Sequence, residues 1–303
     1  MTKSLNNISP CDGRHPGLPV APGFGYLEVD RVDGQSTVVT ALASSPLKLL
    51  TPRHRGTSAW GFLASFGGGL VAGDRIHFDV RIGAGARCFV GSQSSTKVYR
   101  NPNGLPCEHV TRAVLGSESL LVWAPDPVQA FAGSHYRQNQ QFSMAPDAGL
   151  VLIDWFSSGR AARGERWAFS KYQSRIEIRR GRTTDGPTTP DSPEFETVVL
   201  DSLLLDSAHG PLTASHRMGR FNCLATFLLI GPQLSEPAQR FLKILEQEPV
   251  TPRSSLVFSG SPVKGGILVR VAGEHMEQVS ERIRQCLDFV PEMLGDDPWA
   301  RKW

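Results

Sequence analysis

The sequence predicts a mainly β fold, with layered, β-helix-like stacked strands followed by a C-terminal two-helix α/β portion. Three observations carry this. Glycine and proline supply 30 and 22 of the 303 residues, about 17% where ~12% is usual, which favours turn-rich β structure over a helical bundle. A strand-turn-strand arrangement recurs three times at a spacing of about thirty residues, within the range where one supersecondary unit stacks on copies of itself. In the last quarter the apolar period lengthens from two residues to the helical 3.6.

Residues 1–24 are rich in proline and glycine and read as a flexible N-terminal arm. Residues 25–303 read as a single domain whose first strand lies near 25–29. Residues 75–82 alternate without a break and put Ile76, Phe78, Val80 and Ile82 on one face of a strand. The first repeat runs from there through Gly83-Ala-Gly-Ala into the apolar stretch 88–90. The second passes through Leu115-Gly116-Ser-Glu-Ser into 120–123, and the third through Ala145-Pro-Asp-Ala-Gly149 into 150–155. The units share little beyond small residues at the turn, so stacked coils and a plain meander both accommodate them. Residues 181–193 are low-complexity and cannot hold a core, which predicts a mobile loop.

Strands are expected again at 198–205 and 223–230. Ser235 is placed to cap a helix whose Ala238, Phe241, Leu242 and Leu245 share one face and which stops before Pro249. Met276, Val279, Ile283, Cys286, Leu287 and Val290 stripe a second helix ending at Pro291, and strands are expected between the two helices at 255–259 and 266–271.

A net charge of +3 without long basic blocks makes neither nucleic acid nor an anionic membrane the expected partner. Five cysteines, odd in number and without a C-x-x-C pair, fit a reducing compartment. The longest apolar stretch, 221–230, is interrupted by Asn222 and Thr226 and has half the ~20 residues a spanning helix needs. No signal-peptide core is visible at the N-terminus. The chain therefore reads as soluble and cytoplasmic.

Gly67-Gly68-Gly69-Leu70-Val71-Ala72-Gly73-Asp74 satisfies a relaxed dinucleotide pattern, but a strand follows where a Rossmann turn must open a helix. No Lys-Ser/Thr follows the glycines, so no nucleotide is expected on this chain. The string reads instead as a turn needing positive φ or close backbone approach. Dedicated zinc and hydrolase motifs are absent from the sequence. Cys107-Glu108-His109 offers two soft or borderline metal ligands, and by itself reads as a loop. Thr96-Lys97-Val98-Tyr99-Arg100 sets hydroxyls beside two cations, or forms a polar strand end. In Gly159-Arg160-Ala161-Ala162-Arg163-Gly164-Glu165 two bends carry three charges, which a surface ion-pair cluster also explains. Asp126, between Pro125 and Pro127, has the makings of a turn residue.

Singly these motifs are ambiguous; their order is not. Pro46-Leu47-Lys48, GGGLVAGD at 67–74, the alternating strand, GAGA, SQSSTKVYR at 92–100, PDPVQAF at 125–131 and GRAARGE at 159–165 resemble the urease accessory protein family UreD, also called UreH. The resemblance spans most of 24–303 and continues to Leu294-Gly295 and the closing Arg301-Lys302-Trp303. The family usually has Thr-Thr-Gln where this chain has Gly91-Ser92-Gln93, its loop at 181–193 is shorter, and the proline before its final Arg-x-Trp is displaced here to Pro298.

The resemblance implies a non-enzymatic assembly factor that binds apo-urease, recruits UreF and the GTPase UreG, and helps deliver nickel to the urease active site. It also implies a homodimer within the accessory complex and an internal passage for the metal. Nickel in transit must be held weakly, so carboxylates and hydroxyls suit it better than a closed thiolate or imidazole cage. The transit candidates are Asp74, Thr96, Asp126, Asp154 and Glu165. Asp74 either faces a water-filled path or caps its own turn, and Glu165 either faces the path or pairs with Arg160 or Arg163. Gly67, Gly68, Gly69, Gly73, Gln93, Lys97, Tyr99, Gly159, Arg160 and Gly164 are the motif positions expected to shape it. Phe131, Trp299 and Trp303 are the aromatic candidates for partner binding. The competing reading is a β-rich carbohydrate-active enzyme using Asp74 with Asp126 or Glu165 as its carboxylate pair.

Overall fold

The computed structural model describes residues 21–53, 56–181, 195–248 and 251–300. Most of the expected arm and, apart from Gly181, the expected loop lie outside the described residues. β1 (Phe24–Val32) and β2 (Gln35–Ala43) form a hairpin. Its Asp33-Gly34 turn has φ of 49° and 80°, the paired left-handed positions that a two-residue hairpin turn requires. β3 (Leu47–Leu50) and β4 (Ala59–Ser65) pair antiparallel in a second sheet.

The three repeats then wind between the two sheets. β5 (Arg75–Ile82) turns into β6 (Arg87–Ser92). After the short β7 (Thr96–Val98), β8 (Cys107–Leu115) turns into β9 (Leu120–Ala124). After β10 (Val128–Ala130), β11 (His135–Met144) turns into β12 (Gly149–Ser157). β13 (Lys171–Gly181) returns to the first sheet, and β14 (Phe195–Asp206) pairs with it antiparallel. β15 (Cys223–Ile230), α1 (Ser235–Gln247), β16 (Leu256–Val263), β17 (Gly266–Gly273), α2 (Met276–Cys286) and α3 (Val290–Leu294) complete the chain. The first sheet has the order β14-β13-β11-β8-β5-β1-β2. The second has β16-β17-β15-β12-β9-β6-β4-β3, with β10 alongside β12 and β7. Neighbouring coils are parallel: β5 with β8 and β8 with β11 in one sheet, β6 with β9 and β9 with β12 in the other. Stacked coils, not a meander, are what the repeat encodes.

The small residues at the three corners are explained by how the corners stack. Gly85 N–H donates to the Ser117 carbonyl at 2.8 Å, and Gly116 N–H to that of Ile82 at 2.8 Å. Asp147 ties the third corner to the second, accepting from Ser117 Oγ at 2.6 Å and from the Glu118 amide at 3.1 Å. A Cβ at Gly116 would lie 2.9 Å from the Ala84 nitrogen, so a larger residue would push the layers apart.

Two cores result. Between the sheets lie Leu27, Phe78, Trp123, Phe142 and Tyr172, all buried. On the other side of the second sheet, Phe89, Val122, Ile153, Phe227 and Val269 pack under the helices through Phe241, Val279 and Ile283. The outer face of the first sheet carries ion pairs instead, with Glu108 between Arg75 and Arg137.

Four local expectations are corrected. Ser235 is the first residue of α1 rather than its cap, and its hydroxyl donates back to the Pro232 carbonyl at 2.8 Å. The apolar stripe after Met276 covers two helices, because the chain leaves α2 at Leu287 and starts α3 at Val290. Pro291 opens α3 instead of closing α2, since the first turn has no use for the N–H that proline lacks. Cys107-Glu108-His109 is the start of β8, not a loop: Glu108 points out to its arginines while Cys107 is buried between the sheets.

Candidate functional site

Strand alternation explains how a polar site arises inside this body. The inward positions of the first sheet fall into rungs fixed by register. Val80, Ala113, Phe142 and Ile178 make one rung; Phe78, Thr111, Gln140 and Ile176 the next; Ile76, His109, Gln138 and Ser174 the one beyond. The interior therefore changes along the strands from apolar near the corners to polar at the opposite end. There a cavity of ≈ 250 Å³ lies between the sheets. His109, Gln138 and Gln140 line it from the first sheet, and Ser92, Trp123 and Asp154 from the second. It reaches the surface beside Gly68, Gln93 and Ser94, which are exposed.

Asp154 is the carboxylate at the heart of the wall. Its Oδ1 accepts from Gln138 Nε2 at 2.6 Å and its Oδ2 from Ser174 Oγ at 2.9 Å. Burial raises its pKa above the ordinary value, and the hydrogen bonds from Gln138 and Ser174 partly counter this. Gln138 Nε2 also donates to Ser174 Oγ at 3.1 Å, while its Oε1 accepts from Tyr136 Oη at 3.2 Å. Beyond Tyr136, His109 Nδ1 lies 3.4 Å from the same phenol oxygen. Burial, with a smaller contribution from His77, lowers the His109 pKa to about 4, so the imidazole is neutral at pH 7. His109 Nε2 and Trp123 Nε1 are buried without a hydrogen-bond partner among the described residues. Leaving such groups unsatisfied costs about 1–3 kcal/mol each.

Asp126 stands where the chain crosses from β9 to β10. Ser92 Oγ donates to its Oδ2 at 3.1 Å and accepts from its amide at 2.7 Å. Thr96, at the start of β7, lines the same cavity. Three transit candidates, Thr96, Asp126 and Asp154, are thus brought together on one wall, although 58 residues separate the first from the last.

The other two are placed elsewhere. Asp74 accepts the Val71 amide at 2.8 Å and so closes its own turn. Glu165 accepts from Arg160 Nε at 3.0 Å and from the Ala132 amide at 3.3 Å, and the Arg160 bonds lower its pKa. Neither belongs to the cavity wall.

The glycine motifs hold the mouth in shape. Gly67, Gly68 and Gly73 have φ of 71°, 75° and 84°, the left-handed region in which glycine is unstrained. Gly69 is extended and needed for closeness: a Cβ there would fall 2.6 Å from the Tyr99 ring and 2.7 Å from the Lys97 carbonyl. That carbonyl accepts the Leu70 amide, and the Leu70 carbonyl accepts the Tyr99 amide. Tyr99 meets Phe131 edge-on at 5.5 Å, and the Arg160 guanidinium covers Phe131 from 4.5 Å. Gly159 (φ 92°) and Gly164 (φ 78°) shape the loop that brings Arg160 there. Gln93 donates its amide N–H to the Leu63 carbonyl.

Phe131, an aromatic candidate for partner binding, is buried under Arg160. Trp299 is half-buried against Phe89, 5.7 Å away edge-on, and Trp303 lies outside the described residues. Burial pushes the Cys107 thiol up to about 11 and that of Cys223 up to about 12. Among the described residues no three His, Cys, Asp or Glu side chains cluster as a metal site, and no helix is long and apolar enough to cross a membrane.

Gln138 and Ser174 carry no site motif in the sequence, and His109 enters there only within Cys107-Glu108-His109, which by itself reads as a loop. Their only sequence signal is a polar residue at an inward position of a strand, and that cannot be read until the register is known.

Comparison with known proteins gives a consistent picture. A family model described as UreD urease accessory protein matches residues 22–303. A urease accessory protein UreD of Sorangium cellulosum is 46% identical over 282 residues, covering 93% of this chain and 84% of the relative. Another from Anaeromyxobacter is 38% identical, covering 94% and 91%. Urease accessory protein D of Arabidopsis thaliana is 32% identical, covering 91% and 99%.

Proposed function

Because the chain belongs to the UreD family of urease accessory proteins, we propose that it matures urease as a non-enzymatic cytoplasmic scaffold. It binds apo-urease together with UreF and UreG and passes nickel through its interior to the urease active site. The observation that supports this most is the convergence of Thr96, Asp126 and Asp154 on one polar cavity. Hydroxyls, amides and isolated carboxylates hold a divalent ion loosely enough to release it, whereas a closed thiolate cage would trap it. Burial of Cys107 and Cys223 as neutral thiols fits the same requirement. The carbohydrate-active reading has little to support it: Asp74, common to both intended pairs, closes a turn away from the cavity wall, and Glu165 is committed to Arg160.

The test is co-expression with urease and the other accessory proteins. The wild-type chain is expected to co-purify with UreF and apo-urease and to yield nickel-loaded urease. An Asp126→Ala, Asp154→Ala double variant is expected to keep the complex and lose the nickel. Full nickel loading in cells lacking this chain, or normal loading with the double variant, overturns the proposal.

A further inference from the structure

The polar groups on the cavity wall are linked in a way that fixes the state of one imidazole. Asp154 accepts at both carboxylate oxygens, from Gln138 Nε2 and from Ser174 Oγ. The Gln138 amide must therefore turn its NH2 toward Asp154 and Ser174, which leaves its Oε1 toward Tyr136. The donor to that oxygen in the structure is the Tyr136 hydroxyl, which spends its one proton there. The phenol oxygen then has acceptor capacity alone to offer His109, and Nδ1 of that neutral ring must be the protonated nitrogen. The proton count leaves Nε2 with a bare lone pair, and this is the atom that is buried without a partner.

An imidazole that donates from one nitrogen toward a carboxylate-anchored chain and leaves the other nitrogen bare has the arrangement of a metal ligand, because such partners fix the tautomer and raise ring basicity. We propose that His109 Nε2 is a ligand for the divalent cation in the cavity, and that Asp154 acts on it as a positioning residue through Gln138 and Tyr136. A single imidazole among amide and hydroxyl oxygens suits a borderline ion such as Ni(II) or Cu(II), and holds it short of the grip of a multi-histidine cage. The inference rests on the reading of the cavity as a cation passage.

The test uses the full chain with Cu(II) as the probe, with pulsed EPR reading imidazole nitrogen at the metal and equilibrium dialysis reading affinity. The wild type is expected to show imidazole coordination, and His109→Gln to lose it. Tyr136→Phe keeps the ring in place but removes the oxygen that Nδ1 addresses. It is expected to weaken binding by about 10- to 100-fold, the range for loss of a partner behind a metal-bound histidine. Tyr172→Phe, which removes a buried hydroxyl with no partner among the described residues, is expected to leave affinity and spectrum unchanged.

An unaltered spectrum in His109→Gln, or equal affinities in the two phenylalanine variants, overturns the inference while the passage stands. A wild-type chain that takes up no cation overturns both. Histidine-selective 15N NMR without metal is an independent check: the wild type is expected to show His109 protonated at Nδ1, and protonation at Nε2 overturns the inference.

Discussion

Trp155 donates its indole N–H to the Pro125 carbonyl at 2.7 Å, joining adjacent coils across 30 residues of sequence. Pro125, Asp126 and Trp155 line both the inner cavity and a small cleft beneath α2 that Arg284 and Trp299 close from the other side. The indole is thus part of the partition between the polar interior and the helical layer. Trp155→Phe keeps most of the ring and strands the carbonyl, so a loss of about 1 kcal/mol in urea denaturation is expected. An unchanged midpoint would show that the bond contributes nothing net.

Gly159→Ala is expected to cost more. Its φ of 92° strains any L side chain, and its Cβ would lie 2.7 Å from the Ala130 carbonyl oxygen. A destabilisation of about 1–3 kcal/mol follows, measured by chemical denaturation. Because the same loop carries Arg160 over Phe131, fluorescence quenching of the nearby Trp167 by acrylamide should rise in parallel.

Acid sensitivity should trace to His109. Its pKa falls from 6.5 to about 4 on folding, so between those values the unfolded chain binds the extra proton and stability rises with pH. The full contribution is present above pH 6.5 and is lost as the pH falls toward 4, a span of ~3 kcal/mol at most. Asp154 works in the opposite sense. Its raised pKa favours the fold below the ordinary carboxylate value of 3.8, and that advantage disappears as the pH climbs through the raised value. Urea midpoints across the acid range should therefore show a flatter slope between pH 4 and 6.5 in His109→Gln than in the wild type.

Asp154→Asn separates folding from transit. Removing the buried charge relieves its desolvation, while an amide oxygen can replace only one of the two acceptors serving Gln138 and Ser174. Stability is expected within about 1 kcal/mol of wild type. Nickel loading of co-expressed urease is expected to fail. Asp74→Asn, altered at a turn outside the cavity wall, is expected to load urease normally.

Much of the architecture could be read from residue order alone. Perfect alternation at 75–82 marks β5, and the small-residue corners at Gly83, Gly116 and Ala145 mark the three coils, because period-two burial and tight corners are local properties of the chain. Helix ends were less legible. Ser235 and Pro291 each fit two positions relative to a helix end, and packing chose between them.

The candidate site divides along the same line. That the glycine string is a turn rather than a nucleotide loop follows from residue types and spacing within one segment. Which polar groups share a cavity was decided only when parallel coils came into register: His109, Gln138 and Ser174 form one rung, of which Gln138 and Ser174 bond to Asp154 from the facing sheet. The physical reason is that a one-residue slip in any strand would turn its polar side chain outward to solvent. Inter-strand register, set by the whole body, is what converts scattered polar residues into a connected wall.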